Sequence, residues 1–196
     1  GDNLLPAGTL TNTTLFVFGD LEVDTIYTFS ACTLKVMGGG KIIVKAGGKL
    51  SLLDGTISTA HTVSGACMHL WTGIEVRTGG QLLTDEATLE NAYYAVRPVY
   101  QVKGKVPMLN LSATTFSRNF IGLYAANGAF NVAAFDANQF LGTDGSAIFG
   151  LSSCNPPAAI SGVPFTQRTY AGIYFDGTAG GELDLSAGTG ASYFYG

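Results

Sequence analysis

Short apolar segments separated by turn residues fill the first third of the chain. Each segment is four to six residues long, is rich in Val, Ile, Leu, Thr and aromatic residues, and ends at Gly, Asn or Asp, which is typical of β-strands. No stretch of about 12 residues combines helical periodicity with freedom from Gly, Pro and β-branched clusters. The pattern therefore predicts an all-β protein. The segments are Leu15–Phe18, Ile26–Phe29, Thr33–Met37, Lys41–Lys45, Lys49–Leu53 and Gly73–Val76.

A small residue followed by an aliphatic residue recurs five times, at intervals of 22 to 27 residues. A β repeat of this length with Gly or Asn turns is typical of one winding of a β-solenoid, whereas a leucine-rich repeat would need its own leucine pattern. We therefore predict a right-handed parallel β-helix of roughly eight coils, forming a single domain over residues 1–196. Its clearest repeats span 15–150, a Pro-rich loop is inserted at 151–169, and the last coils occupy 170–196. The repeats begin at Gly73, Ala95, Gly122, Ala147 and Gly172.

Side-chain alternation along each strand predicts which columns face the core. The aliphatic residue of each repeat is expected to point inwards, together with the residue two positions before it. The residue that follows the aliphatic one is expected to point outwards, with the small residues beside it. The inward residues are Ile74, Val96, Leu123, Ile148 and Ile173, with Thr72, Tyr94, Ile121, Ser146 and Ala171. The outward residues are Glu75, Arg97, Tyr124, Phe149 and Tyr174.

The composition excludes several classes of protein. Only 12% of the residues are charged, 46% are hydrophobic and 27 are Gly, whereas a disordered chain has few apolar residues and many charges. Glycines interrupt every apolar stretch, which excludes a transmembrane helix of roughly 18–20 apolar residues. The net charge is −4 and the Lys and Arg residues are scattered. We therefore expect neither a nucleic-acid partner nor membrane insertion.

The cysteines and the beginning of the chain bear on localisation. Cys32, Cys67 and Cys154 lie far apart without CxxC spacing, so a zinc site is not expected. Either one disulfide and one free thiol, or three buried thiols, would fit the odd number. Few Lys and many Thr, Ser and Gly favour an exported protein. The chain opens at Gly1 without the features of a signal peptide, so we expect a signal peptide already removed or never included, or a fragment of a longer chain.

Part of the sequence resembles a known group of proteins. Cys67–Val76, followed by Gly79–Leu82, is similar to a signature of secreted right-handed parallel β-helix proteins that gliding-type bacteria often export by the type IX system. Ala92–Val96 and Phe116–Tyr124 resemble the following coils of that pattern. The resemblance implies a pectate-lyase-like solenoid and an extracellular, cell-surface location, and it carries no assigned reaction. The opening coils, Gly19–Val23 through Lys41–Val44, also fit.

A carbohydrate-active enzyme on the same scaffold is the rival prediction. A glycosidase needs two carboxylates about 5–10 Å apart. The closest acidic group, Asp85, Glu86 and Glu90, is expected to have no nearby His and no basic partner, and the paired Asp, Gly-His-Gly and Arg-Ile-Lys motifs of polygalacturonase-like enzymes are absent. His61 and His69 have no third ligand, so no metal site is expected. We predict no catalytic residue and no cofactor.

The outward aromatic residues are the candidate surface contact. Tyr124, Phe149 and Tyr174 would form a flat shelf if they stack at the spacing of the coils. Three interpretations stay open: a stabilising aromatic stack covered by the Pro-rich loop, a contact between subunits, or a site where sugars stack. Glu75 and Arg97 are expected to form a surface ion pair, and Trp71 to pack over a solenoid edge.

The expected function is that of a non-catalytic extracellular module, structural or adhesive. The module would be a building block of a self-assembling surface filament or a segment of a large adhesin. Its expected partners are copies of itself, neighbouring domains of a larger surface protein, or a polysaccharide. The alternatives are a polysaccharide lyase, a glycoside hydrolase or a glycan-binding module on the same scaffold.

Overall fold

Residues 7–60, 70–100, 106–126, 130–142, 169–176, 185 and 191–195 are described by the structure, a computed structural model. Within these residues every element is a β-strand, and the strands pair in parallel. Hence the predicted all-β class is confirmed. A helix long and apolar enough to span a bilayer does not occur in this part of the chain.

The strands form three parallel sheets, named A, B and C in the order in which the chain visits them. Sheet A contains β1 (Gly8–Thr11), β4 (Ile26–Ser30), β7 (Lys49–Leu53), β10 (Gln81–Asp85), β13 (Met108–Ser112) and β16 (Asn131–Asp136). Sheet B contains β2 (Thr14–Val17), β5 (Thr33–Val36), β8 (Thr56–Thr59), β11 (Thr88–Glu90), β14 (Thr115–Ser117), β17 (Gln139–Leu141) and β19 (Tyr193–Tyr195). Sheet C contains β3 (Leu21–Val23), β6 (Lys41–Val44), β9 (Gly73–Arg77), β12 (Tyr94–Val99), β15 (Ile121–Ala126) and β18 (Ala171–Asp176).

Each winding of the chain adds one strand to every sheet. β1, β2 and β3 form the first winding, and β16, β17 and β18 form the sixth. β19 then adds one strand of a seventh winding to sheet B. This is the right-handed parallel β-helix that the repeats predict. Roughly eight coils were expected, and the described residues contain six complete windings and one strand of the next.

In-register columns of apolar side chains from the three sheets fill one core. Burying one aliphatic side chain contributes about 1.5–3 kcal/mol, and each winding repeats that contribution. The predicted inward positions of Ile74, Val96, Leu123 and Ile173 are confirmed. The sheet B column is Leu15, Leu34, Ile57, Leu89, Phe116, Phe140 and Phe194. The sheet C column is Leu21, Ile42, Ile74, Val96, Leu123 and Ile173.

The coil predicted around Ile148 is wrong. Leu123 on β15 pairs directly with Ile173 on β18, so no winding separates them. Between these two strands the chain forms β16 and β17 and then runs through residues 143–168, which lie outside the described residues. The Pro-rich insertion predicted at 151–169 falls almost wholly in that range. The interval of 25 residues on either side of Ala147 imitated the repeat, because sequence spacing alone does not distinguish a stacked coil from a loop.

The predicted alternation fails at the bend that leads from sheet B into sheet C. Ala95 and Val96 are consecutive, and both are buried in the main core. At this bend, inward and outward side chains therefore no longer alternate from one residue to the next. Tyr94 and Ile121, predicted to face the core, pack instead in a separate cluster outside it.

The small residues at this bend face inwards, not beside the outer column as predicted. A Cβ atom on Gly122 would lie 2.8 Å from the ring of Phe140, and one on Gly172 would lie 2.9 Å from the ring of Phe194. Gly122 and Gly172 are small because phenylalanine rings of sheet B occupy the space opposite them, whereas a Cβ on Gly73 would meet the Tyr94 carbonyl oxygen.

A left-handed residue turns the chain from sheet A to sheet B in every winding. Its φ angle lies between 45° and 51° at all six positions. The amide that follows the strand donates to the next winding, as from Ala31 to the Leu53 carbonyl at 2.8 Å. None of the six residues is Gly, the residue type that usually marks a left-handed backbone conformation, so this corner could not be predicted from the residue types. The residues are Asn12, Ala31, Asp54, Glu86, Ala113 and Ala137.

Candidate functional site

Three tyrosines stack on one another on the outer side of sheet C. The ring centroids of Tyr94 and Tyr124 lie 5.7 Å apart, and those of Tyr124 and Tyr174 lie 5.5 Å apart, with interplanar angles of 25° and 27°. The parallel register creates this tyrosine stack, because Tyr124 and Tyr174 occupy equivalent positions on paired strands. Two of the three predicted contact residues are thus brought together.

The third predicted contact residue does not lie between them. Direct pairing of Tyr124 with Tyr174 leaves no place for Phe149 in the stack, and Phe149 lies outside the described residues. Moreover, Tyr124 is only 8% exposed. Its ring faces contact neighbouring rings, which is the arrangement expected of a stabilising stack rather than of an open sugar-binding shelf.

The tyrosine stack continues into a second row of aromatic rings. Tyr93 stacks on Phe120 at 5.1 Å, and Phe120 contacts Tyr170 at 5.7 Å. Tyr170 also lies 6.1 Å from Tyr174, which closes the two rows into one group. Tyr170 is 39% exposed and forms the solvent-facing member. We call the group the outer aromatic cluster; it comprises Tyr93, Tyr94, Phe120, Tyr124, Tyr170 and Tyr174.

Arg97 lies over the Tyr94 end of the tyrosine stack. Its guanidinium carbon is 5.2 Å from the ring centroid of Tyr94 and 5.5 Å from that of Tyr124. Its Nη1 also donates to the Tyr94 hydroxyl at 3.0 Å. A guanidinium over aromatic faces is stabilised by the ring quadrupole. Arg97 therefore fixes the geometry of the stack, a role that the sequence analysis did not assign to it.

The predicted ion pair between Glu75 and Arg97 is replaced by two others. Glu75 and Arg97 are register partners, but the Glu75 carboxylate binds Arg77 at 2.6 Å and Lys41 at 3.6 Å. Burial alone raises the pKa of Glu75, whereas the hydrogen bond from Arg77 and the charges of Lys41, Arg77 and Arg97 lower it. The net result is a pKa below the ordinary value, so Glu75 is ionised at neutral pH.

Two further carboxylates are held by basic residues of the next winding. Glu22 pairs with Lys45, and this contact lowers the pKa of Glu22. Glu90 binds Arg118 at 2.8 Å. The expectation that the acidic group around Glu90 has no basic partner is therefore wrong, because the partner lies one winding away and not nearby in the sequence.

Trp71 is buried in the main core and does not pack over an edge. Its indole Nε1 donates to the carbonyl of Glu90 at 2.8 Å. Trp71 therefore joins two windings, and it is not available to a ligand on the surface.

Side chains that ligate metals do not converge in the described part of the chain, where no group of three His, Cys, Asp or Glu is placed to hold an ion. Cys32 is buried, and its thiol lies 3.4 Å from the carbonyl oxygen of Leu10. His61, His69, Cys67 and Cys154 lie outside the described residues, so the predictions made on them stay predictions.

Two polar features that the sequence analysis missed also bind the windings together. Asn119 accepts from the Ala92 amide at 2.9 Å and donates to the Leu89 carbonyl at 2.8 Å. Sheet B strands also begin with threonine in five successive windings, and this recurring Thr before a core residue could have located the sheet from sequence. The threonines are Thr14, Thr33, Thr56, Thr88 and Thr115.

Comparison of the chain with protein-family models, with curated proteins and with solved structures returned no match.

Proposed function

We propose that this chain is a non-catalytic extracellular module, structural or adhesive, that associates with copies of itself or with neighbouring domains. The module serves as a building block of a surface filament or as a segment of a large adhesin. The resemblance of Cys67–Val76, Gly79–Leu82 and the following coils to type IX exported β-helix proteins supports the extracellular location and a pectate-lyase-like solenoid.

The observation that carries the proposal is that charged side chains of the described residues contact one another or aromatic rings within the protein. Glu22, Glu75 and Glu90 each bind a basic residue, and Arg97 is stacked on tyrosine rings. A catalytic pair of carboxylates needs an open space about 5–10 Å wide between them. In the described residues Glu22, Glu90 and, through Lys41, Glu75 instead bind a basic residue of a neighbouring winding.

Exposed aromatic residues at the two ends of the β-helix support association. Phe16 and Phe18 in the first winding are 60% and 79% exposed, and their rings stack at 6.5 Å. At the other end, Phe194 is 58% exposed although one face of its ring stacks on Phe140. Large exposed apolar side chains that lie close together favour contacts between proteins.

Light scattering coupled to size exclusion tests the proposal on the whole chain. We expect a mass above that of the monomer that increases with concentration, and a decrease towards the monomer for Phe194→Ser. Tyr170→Ser, an exposed aromatic on the side of the β-helix, is the matched control and should leave the mass unchanged. A clean monomer at high concentration would contradict self-association.

A panel of polysaccharides tests the rival enzymatic function. We expect no release of reducing sugar or unsaturated uronate. Turnover that a single Asp or Glu substitution abolishes would overturn the non-catalytic proposal.

A further inference from the structure

We infer that Tyr170 is an oxidative modification site, at which one-electron oxidation of the outer aromatic cluster is fixed as a covalent product after passing along the tyrosine stack. This inference is independent of the proposed function. It assigns redox chemistry to a surface that otherwise has only a packing role.

Ring contacts provide a continuous path to Tyr170. Tyr94, Tyr124 and Tyr174 stack in sequence at 5.7 Å and 5.5 Å between centroids, and Tyr174 lies 6.1 Å from Tyr170. Phenol rings are the side chains that exchange single electrons most readily after indole and thiol groups. Four of them in contact allow an electron vacancy formed on one ring to move to the next.

The charge of Arg97 gives the path a direction. An oxidised ring carries a positive charge, and the Arg97 guanidinium lies 5.2 Å from the ring of Tyr94 and 5.5 Å from that of Tyr124. Repulsion between the two positive charges is strong where water is excluded. The vacancy is therefore driven away from Tyr94 and Tyr124, towards Tyr174 and Tyr170.

Exposure to water determines which tyrosine of the cluster becomes the neutral radical. An oxidised phenol becomes a neutral radical by releasing its proton, and water accepts that proton where the ring is exposed. Tyr124 is 8% exposed, whereas Tyr170 is 39% exposed and can release a proton to solvent. The neutral radical therefore forms at Tyr170, where a second molecule can reach it.

The oxidant implied is a haem peroxidase with hydrogen peroxide. For each radical the enzyme takes one electron from a ring of the tyrosine stack, the vacancy moves to Tyr170, and the Tyr170 phenol gives one proton to water. Two radicals on two copies of the chain then join through the ring carbons next to the hydroxyl groups, and the hydrogens on those carbons move to the oxygens. One hydrogen peroxide is consumed, two waters are formed, and one carbon–carbon bond joins the two chains.

The test compares Tyr170 with Tyr193 in the same molecule. Tyr193 is the more exposed, at 52%, so direct oxidation would favour it. The whole chain is treated with a haem peroxidase and limiting hydrogen peroxide, and the cross-linked peptides are quantified by mass spectrometry. We expect more product at Tyr170 than at Tyr193, a ratio above one.

Two variants distinguish electron transfer along the tyrosine stack from direct oxidation of an exposed tyrosine. Tyr174→Phe keeps the ring but removes the phenol, so the ratio should fall below one while the near-UV circular dichroism stays close to that of the wild type. Tyr27→Phe, in a buried aromatic pair in sheet A with Phe29, is the control and should leave the ratio unchanged. A wild-type ratio below one, an unchanged ratio in Tyr174→Phe, or product mapped to Trp71 would each overturn the inference.

Discussion

The last windings contain two columns of aromatic rings, one inside the core and one outside it. In the first column the core rings of Phe116 and Phe140, and the exposed ring of Phe194 that caps them, stack at 4.5 Å and 4.7 Å, with interplanar angles of 1° and 8°. Outside, Tyr124 and Tyr174 of sheet C stack at 5.5 Å, tilted by 27°. The same repeat spacing thus yields tight, parallel rings inside and looser, tilted rings outside.

The difference follows from what surrounds each column. The inner rings meet backbone: a Cβ on Gly122 would lie 2.5 Å from the Gly172 carbonyl oxygen and 2.8 Å from the Phe140 ring. The outer rings meet Arg97 and, at Tyr170, solvent. A side chain confined by backbone cannot relax when a neighbour changes, whereas a side chain beside flexible groups can.

Removing one ring from each column should give the largest difference between the two columns in the free energy of unfolding. Phe140→Ala leaves a cavity between two rings inside the core, so we expect a loss of about 3–5 kcal/mol in the free energy of unfolding. Tyr124→Ala removes the middle ring of the tyrosine stack, where the flexible Arg97 side chain can move into the space, and should cost less, about 1–3 kcal/mol. Urea unfolding of both variants measures the difference, and an equal or greater loss for Tyr124→Ala would refute the comparison.

Adding one methyl group at the inner column should also destabilise the protein. Gly122→Ala places a Cβ against backbone and a phenyl ring, and overpacking of this kind costs about 1–3 kcal/mol. Combining it with Phe140→Leu should recover part of the loss, because the smaller side chain yields space. The free energies of the two single variants and the double variant give the coupling. Gly122→Ala with wild-type stability would show that the column tolerates a larger residue.

The smallest expected effect concerns the charges near the outer column. Glu75→Gln removes the carboxylate that binds Arg77 and Lys41, for an expected loss of about 1 kcal/mol at neutral pH. The pKa of Glu75 is lowered in the folded protein, so its stabilising contribution is present above the unfolded pKa of about 4.3.

That contribution is lost as the pH falls through the folded pKa. The difference between wild type and Glu75→Gln should therefore shrink on acidification, as measured by thermal unfolding at a series of pH values. Glu86→Gln, at an exposed corner, is the matched control. A difference that stays constant down to the lowest pH would contradict the assignment to the Glu75 carboxylate.

The repeats predicted the fold well, but they predicted the neighbours of single residues unevenly. Ile74, Val96 and Leu123 were placed correctly because alternation within a strand is a local property. Ile148 was misplaced because an interval of 25 residues does not by itself show that a strand of sheet C lies there, and Leu123 pairs directly with Ile173. Arg118 was missed as the partner of Glu90 because the two lie on different windings.

The amino-acid sequence by itself determined that this chain winds as a parallel β-helix, since period-2 alternation and a recurring interval are local patterns that any stacking must respect. Only the tertiary structure decided which side chains meet: that Arg97 lies on tyrosines, that Gly122 makes room for Phe140, and that Glu75 binds Arg77. The physical reason is that a bend of one residue between sheets reverses which side chains face inwards, and a one-dimensional pattern does not record where such a bend occurs.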